Sequence, residues 1–139
     1  MTKVDMSLSL NVPVEKIWNL IGGFDALARW HPAIARCESV NEGGKMQRKL
    51  SLTGGGEIVE ELERHDDREH AYSYRIVSSP LPITGYHSEL SVADQGPGRC
   101  TVRWASTFEP AAGAEQNATT AIRGVYQAGF DGLKGLFGG

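Results

Sequence analysis

Val4, Met6, Leu8 and Leu10 alternate with Asp5, Ser7, Ser9 and Asn11, the period of two expected of a strand with one buried face. Asn11-Val12-Pro13 ends that run, and Pro13 suits the first turn of a helix. Val14, Ile17, Trp18 and Ile21 follow at helical spacing, and Gly22-Gly23 stops the helix at its C-cap. The pattern predicts a second short helix over about Phe24 to Trp30. It must stop before His31-Pro32, because the residue ahead of a proline avoids the α region. From Ile34 to Glu109 the pattern is that of strands, predicted near Ile34–Asn41, Met46–Leu52, Glu57–His65, Ala71–Val77, Tyr86–Ala93 and Cys100–Phe108. Turn residues separate them: Glu42-Gly43-Gly44, Thr53-Gly54-Gly55-Gly56, Asp66-Asp67, the longer Ser78-Ser79-Pro80-Leu81-Pro82, and Asp94 through Gly98. The period then changes again. Ile122, Val125, Tyr126, Gly129, Leu133 and Leu136 share one face, with Arg123, Gln127, Asp131 and Lys134 opposite. One long amphipathic helix from about Glu115 to Leu136 follows.

The order is therefore one strand, two short helices, six strands and a long helix, an α+β arrangement. Consecutive strands with short connections imply an antiparallel meander. A curved sheet has an apolar face, and only the long helix is available to cover it. A bent sheet against a straight rod leaves space that is hard to fill at both ends. Ala121, Gly124, Ala128 and Gly129 lie on or near the inward side of that helix. Glycine inside a helix costs up to ~1 kcal/mol relative to alanine, so these positions need a reason. Either the helix sits close to the sheet or room is left for a ligand, and both readings stay open.

Composition narrows the class. A chain of 139 residues is expected to make one domain spanning 1–139. Fourteen Lys and Arg against seventeen Asp and Glu give a net charge of −3, with no basic stripe, which argues against a nucleic-acid partner. No apolar run approaches the ~18 residues of a membrane span. The opening MTKVDMSLSL lacks the layout of a secretory signal. Cys37 and Cys100 are too few for a disulfide framework or a zinc site. The expectation is a reduced, soluble, cytoplasmic domain with neither metal nor cofactor.

The Trp30-His31-Pro32 turn after the paired helices and the Phe108-Glu109-Pro110 end of the last strand resemble the START-like (SRPBCC) helix-grip superfamily. The similarity is greatest to its bacterial polyketide cyclase/dehydrase branch, and more distant to the plant abscisic acid receptors. Val14–Pro32, Asp66–Val77 with Ser79-Pro80-Leu81-Pro82, and Gly124-Val125-Tyr126 through Leu133 carry it. The resemblance implies a helix-grip fold: a curved seven-stranded antiparallel sheet wrapped around the C-terminal helix, with an internal cavity. It does not fix an activity, because the superfamily spans lipid carriers, hormone receptors and aromatase/cyclases. In the related receptors the position of His31 carries a pocket lysine, so a histidine here departs from their pattern. The loop matching Thr53–Gly56 closes over the ligand in those receptors. In this chain it is stripped of bulky residues.

Strand parity selects the residues that could carry chemistry. Ile58, Glu60, Leu62 and Arg64 share a face that Ile58 and Leu62 turn inward, placing Glu60 among apolar neighbours. A carboxylate there needs a cation, a water or a polar ligand, and desolvation raises its pKa. Arg48 is inward by the same parity, with Met46, Leu50 and Leu52, and is the structural partner on offer. Trp30 and His31 could face the cavity mouth; a histidine there can act as acid or base, or simply cap a surface. Tyr74 and Ile76 alternate on one strand with Tyr72, Tyr86 and Ser88 on the next, and Trp104 on the last with Ser106. With Ile122, Val125, Tyr126 and Gly129 of the helix they describe an aromatic lining carrying a few hydroxyls, the makeup of a small-molecule site. The same residues could equally fill a core. His87 and Glu89 face solvent by parity. His65, His70 and His87 lack metal-ligand spacing. No nucleophile elbow or P-loop is present, and Gly54-Gly55-Gly56 leads into a strand rather than a helix.

Three functions fit. The first is binding of a small hydrophobic molecule, aromatic or lipid-like, in a cavity between sheet and helix. The second is cyclase/dehydratase chemistry, with Glu60 or His31 as base and Tyr74, Tyr86 or Arg48 donating to an oxyanion. The third is a protein–protein role, either through a groove under the C-terminal helix or at Leu136-Phe137. A homodimer is left open.

Overall fold

The alternating N-terminal run forms β1 (Thr2–Leu10), and Pro13 leads into α1 (Val14–Ile21), which buries Ile17, Trp18 and Ile21. The meander follows as β2 (Ile34–Glu42), β3 (Lys45–Leu52), β4 (Glu57–Asp66), β5 (Ala71–Ser78), β6 (Ile83–Asp94) and β7 (Cys100–Pro110). The chain ends in α2 (Glu115–Phe137), capped by Gly138 in the left-handed conformation. This computed structural model describes residues 1–138. All seven strands belong to one antiparallel sheet in the order β1-β7-β6-β5-β4-β3-β2. The chain runs from β2 to β7 by nearest-neighbour steps, and β1 closes against β7. One apolar cluster joins α1, the sheet and α2.

Four differences from the sequence pattern have local causes. The second helix shrinks to a 3-10 turn at Leu27–Arg29. Phe24, Ala26, Leu27 and Trp30 are all buried, and residues 24 and 26 fall on nearly opposite sides of an α-helix, so only an irregular path covers both. β6 starts at Ile83 rather than Tyr86, carried across a register shift between Thr84 and His87 by Gly85 at φ 60. β4 has a register shift between Leu62 and Arg64, which reverses parity. Arg64 therefore leaves the inward row for exposed pairs with Asp66 and Glu69, while His65, itself still exposed, stacks on Tyr72. Met46, in the inward row with Arg48, is 44% exposed because it adjoins the uncovered Gly43-Gly44 hairpin tip.

Two expectations at α2 also change. Its buried stripe is Ala118, Ile122, Tyr126, Gly129, Phe130 and Leu133. Leu136 is 56% exposed, and Phe137 turns in instead, with Lys16 of α1 6.0 Å from its ring. The internal cavity is occupied rather than open. Trp104 lies against Tyr126 with centroids 4.4 Å apart, and Tyr74, Tyr86, Phe108 and Phe130 continue the buried aromatic layer between sheet and helix. Open depressions lie elsewhere, on the outer face over β1, β6 and β7 and beside the β5–β6 connection.

Candidate functional site

Arg48 and Glu60 are register partners on β3 and β4, so the pairing of the two strands brings them together on the concave side. Arg48 Nε donates to Glu60 Oε1 at 2.7 Å, and Nη1 donates to the Phe24 carbonyl at 2.8 Å and the Tyr72 hydroxyl at 3.1 Å. The guanidinium carbon lies 4.2 Å from the Phe24 ring centroid and 4.7 Å from that of Tyr74, within cation–π range. Arg48 is fully buried, yet its Nη2 has no hydrogen-bond partner. A buried donor left unmade costs about 1–3 kcal/mol, more when charged. Burial pushes the Glu60 carboxyl above the usual carboxylate range, and the Arg48 guanidinium opposes that rise. The phenol and carboxyl groups around Arg48 hold its own pKa above normal, outweighing its burial.

A second polar group lies across the sheet. Ser88 and Ser106 are register partners on β6 and β7. Ser88 Oγ donates to the Ala105 carbonyl at 3.1 Å and meets the Tyr126 hydroxyl at 3.0 Å; Tyr86 and Tyr126 share a short hydroxyl–hydroxyl bond. Ser106 Oγ is buried beside Tyr126 without a partner of good geometry. Tyr74 links the two groups, accepting from Trp104 Nε1 at 3.0 Å while its ring faces Arg48. Burial raises the Tyr74 and Tyr86 phenols well above normal, and Tyr126 is pushed up to about 12. At neutral pH all three are therefore hydrogen-bond donors, not bases.

His31 is 1% exposed and both its nitrogens are engaged. Nε2 lies 2.7 Å from the Val125 carbonyl of α2, and Ala33 N–H donates to Nδ1 at 3.2 Å. That pair of partners fixes a neutral ring with its proton on Nε2 and leaves neither nitrogen free to move a proton on a substrate. Trp30 is buried against Trp104 with its indole N–H unpaired. Val125 contributes only its carbonyl to this cluster, and its side chain is half-buried. Ile58 and Ile122 are buried, whereas Ile76 is half-buried beside the β5–β6 opening. The structure thus gathers Arg48, Glu60 and Tyr74 at one group, and Tyr86, Ser88, Trp104 and Tyr126 at another. Trp30, His31 and Gly129 meet where the turn touches α2 and adjoin the second group through Trp104.

A Cβ on Gly129 would stand 2.9 Å from His31 Cδ2, 2.9 Å from Trp104 Cζ3 and 3.0 Å from Trp30 Cζ3. One on Gly132 would fall on the Trp30 carbonyl. Close approach, rather than room for a ligand, explains these glycines. Gly132 escaped the sequence reading although its i, i+3 spacing from Gly129 marks the same face. Phe24, which gives Arg48 both a carbonyl and a ring, was masked by its assignment to a helix. Among the described residues no cluster of His, Cys, Asp and Glu could hold a metal ion, and no helix is long and apolar enough to cross a membrane.

A bent antiparallel sheet gripping a C-terminal helix, with charged and hydroxyl groups sealed on its concave side, defines a helix-grip protein. The chain belongs to the polyketide cyclase / dehydrase and lipid transport family, whose model matches residues 1–138. The structure of XoxI from Bacillus cereus is 33% identical with a TM-score of 0.92, covering 99% of this chain and 96% of that one. The abscisic acid receptor PYL7 of Arabidopsis thaliana is 30% identical over 88 residues, 60% of this chain and 41% of the receptor. This chain thus spans about two-fifths of that relative's length. The Zhui aromatase/cyclase from Streptomyces sp. R1128, 15% identical at TM-score 0.76 over 96% of this chain and 92% of that one, shares the fold alone.

Proposed function

We propose that the protein binds a small, mainly apolar and aromatic molecule bearing an oxygen acceptor, held on the concave face between the sheet and α2. The observation that carries this reading is the Arg48 guanidinium, sealed among aromatic rings with Nη2 unpartnered. A fold needing only a structural ion pair has no use for a spare charged donor at that depth. An acceptor oxygen on a ligand supplies the missing partner, and the surrounding rings supply apolar area. Membership of a family of cyclases, dehydrases and lipid transporters supports the same reading. Because aromatic side chains occupy the interior, the ligand takes the place of some of them, and Trp104 on Tyr126 is the stack to displace.

Native mass spectrometry of the purified protein, followed by calorimetric titration of the molecule it releases, tests the proposal. The expected ligand carries an aromatic ring and a carbonyl or carboxylate, and Glu60→Gln shifts its affinity at least about tenfold, ~1.4 kcal/mol. A protein that emerges empty from cell extract and binds none of a panel of aromatic acids and ketones overturns it.

A second reading draws on the raised Glu60 carboxyl. Such a group is a stronger base than an exposed glutamate, and the phenols that stay protonated can stabilise an enolate oxygen. Cyclase or dehydratase turnover that Glu60→Gln abolishes while ligand binding persists selects this reading.

A further inference from the structure

We infer that His31 is a pH-sensitive latch holding α2 to the Trp30-His31-Pro32 turn, and that acid loosens the helix at that turn.

The helix offers this turn no side chain to interlock with. Its surface there is Gly129 and Gly132, positions at which even a methyl group would meet His31, Trp30 or Pro32. Attachment to the turn is therefore concentrated in one directional contact, the bond from His31 Nε2 to the Val125 carbonyl in the middle of the helix. That carbonyl already accepts within α2, so His31 uses its second lone pair. On the other side of the ring Ala33 N–H points at Nδ1. A proton added to Nδ1 would set two N–H groups against each other. It would also bury a cation, since His31 is 1% exposed, and the Trp30 and Trp104 rings, with centroids 5.9 and 6.0 Å away, offset only part of that cost.

The surroundings give that cation no counter-charge. The turn brings Trp30 and Ala33; β7 brings Trp104; α2 brings the Val125 carbonyl and Gly129. The charge that acts on His31 is the Arg48 guanidinium of β3, of the same sign. Burial pushes the latched imidazole below its ordinary 6.5.

The sign follows. With the latch closed His31 resists protonation, and with α2 lifted the hydrated ring takes a proton at its ordinary pKa. Below pH 6.5 the open form binds one more proton than the closed form. Its population therefore rises about tenfold per pH unit until the closed ring itself titrates. Above pH 6.5 the latch is insensitive. Acid loosening of the helix at the turn gives a filled interior a route to exchange its contents, a consequence that rests on the binding function proposed above. The latch itself does not.

Amide hydrogen exchange measured without ligand between pH 7.5 and 5, corrected for intrinsic rates, tests it. Expected in the wild type is a rise of about tenfold per unit below pH 6.5 at α2 amides, while β6 and β7 stay protected. His31→Gln, which can donate to the Val125 carbonyl and accept from Ala33 without titrating, should flatten that profile. Nitrogen NMR of the wild-type ring is a second readout, expected to show the Nε2–H form persisting below pH 6.5. The same profile in both proteins, sheet amides opening together with α2, or a ring that titrates at or above 6.5 overturns the latch. None of these results depends on whether a ligand binds.

Discussion

Arg48 is the residue whose neighbours are hardest to satisfy, and its energetics follow from what each partner does alone. Removing the cation while keeping the acid leaves Glu60 buried without compensation, at a cost of about 3–5 kcal/mol. Arg48→Met should show that loss in urea unfolding at pH 7. The deficit should shrink as pH falls, because protonating Glu60, whose carboxyl burial already pushes up, removes the stranded charge. Replacing both, as Arg48→Met with Glu60→Leu, should restore most of the lost stability, since an apolar pair fills the same space without desolvating charges. A double variant no more stable than the single one would mean that the guanidinium is held by Phe24 and Tyr72 rather than by Glu60. This pair was legible in the sequence, because alternation put both residues on one face of neighbouring strands. The spare Nη2 was not. It depends on where the Phe24 carbonyl goes, and that segment abandons the helix its spacing suggests.

At the scale of elements, α2 shows how one residue type serves opposite ends. Gly124 has open space where a Cβ would stand, whereas Gly132 has the Trp30 carbonyl there. Alanine is the better helix former by up to ~1 kcal/mol, so Gly124→Ala should raise the melting temperature. Gly132→Ala should lower it, because the helix must retreat from the turn and forfeit the His31 bond. Equal shifts in thermal unfolding would show that α2 is not in backbone contact with the turn. Sequence periodicity located this helix to within a residue at each end, but the meaning of its glycines required the position of Trp30-His31-Pro32 in space. The strands were subject to the same limit. The antiparallel run from β2 to β7 followed from turn chemistry, whereas the pairing of β1 with β7 did not, and parity counting assumes one residue per step. The extra residue near Glu63 turned Arg64 outward and laid His65 against Tyr72, which no alternation rule detects.

Across the whole molecule, the aromatic layer couples the sheet to α2, and its phenols report on that coupling. All four tyrosines of the chain, Tyr72, Tyr74, Tyr86 and Tyr126, are buried, and burial raises every one of them, Tyr126 to about 12. A phenol raised in the folded state contributes stability that is complete below its unfolded pKa of ~10 and is lost as pH climbs past it. The unfolded chain releases four protons that the folded chain keeps. The four rings, however, share contacts through Trp104, Arg48 and one another. At alkaline pH, where the His31 contact is closed, no single hydroxyl reaches water without opening the common core. Absorbance at 295 nm should therefore stay flat through pH 10 and then rise in one step, together with the loss of far-ultraviolet circular dichroism. A gradual rise centred near pH 10 in a protein that keeps its dichroism would place the phenols in contact with solvent. The interior would then be a wet chamber rather than an aromatic plug, and a ligand would displace water, not Trp104, on entry.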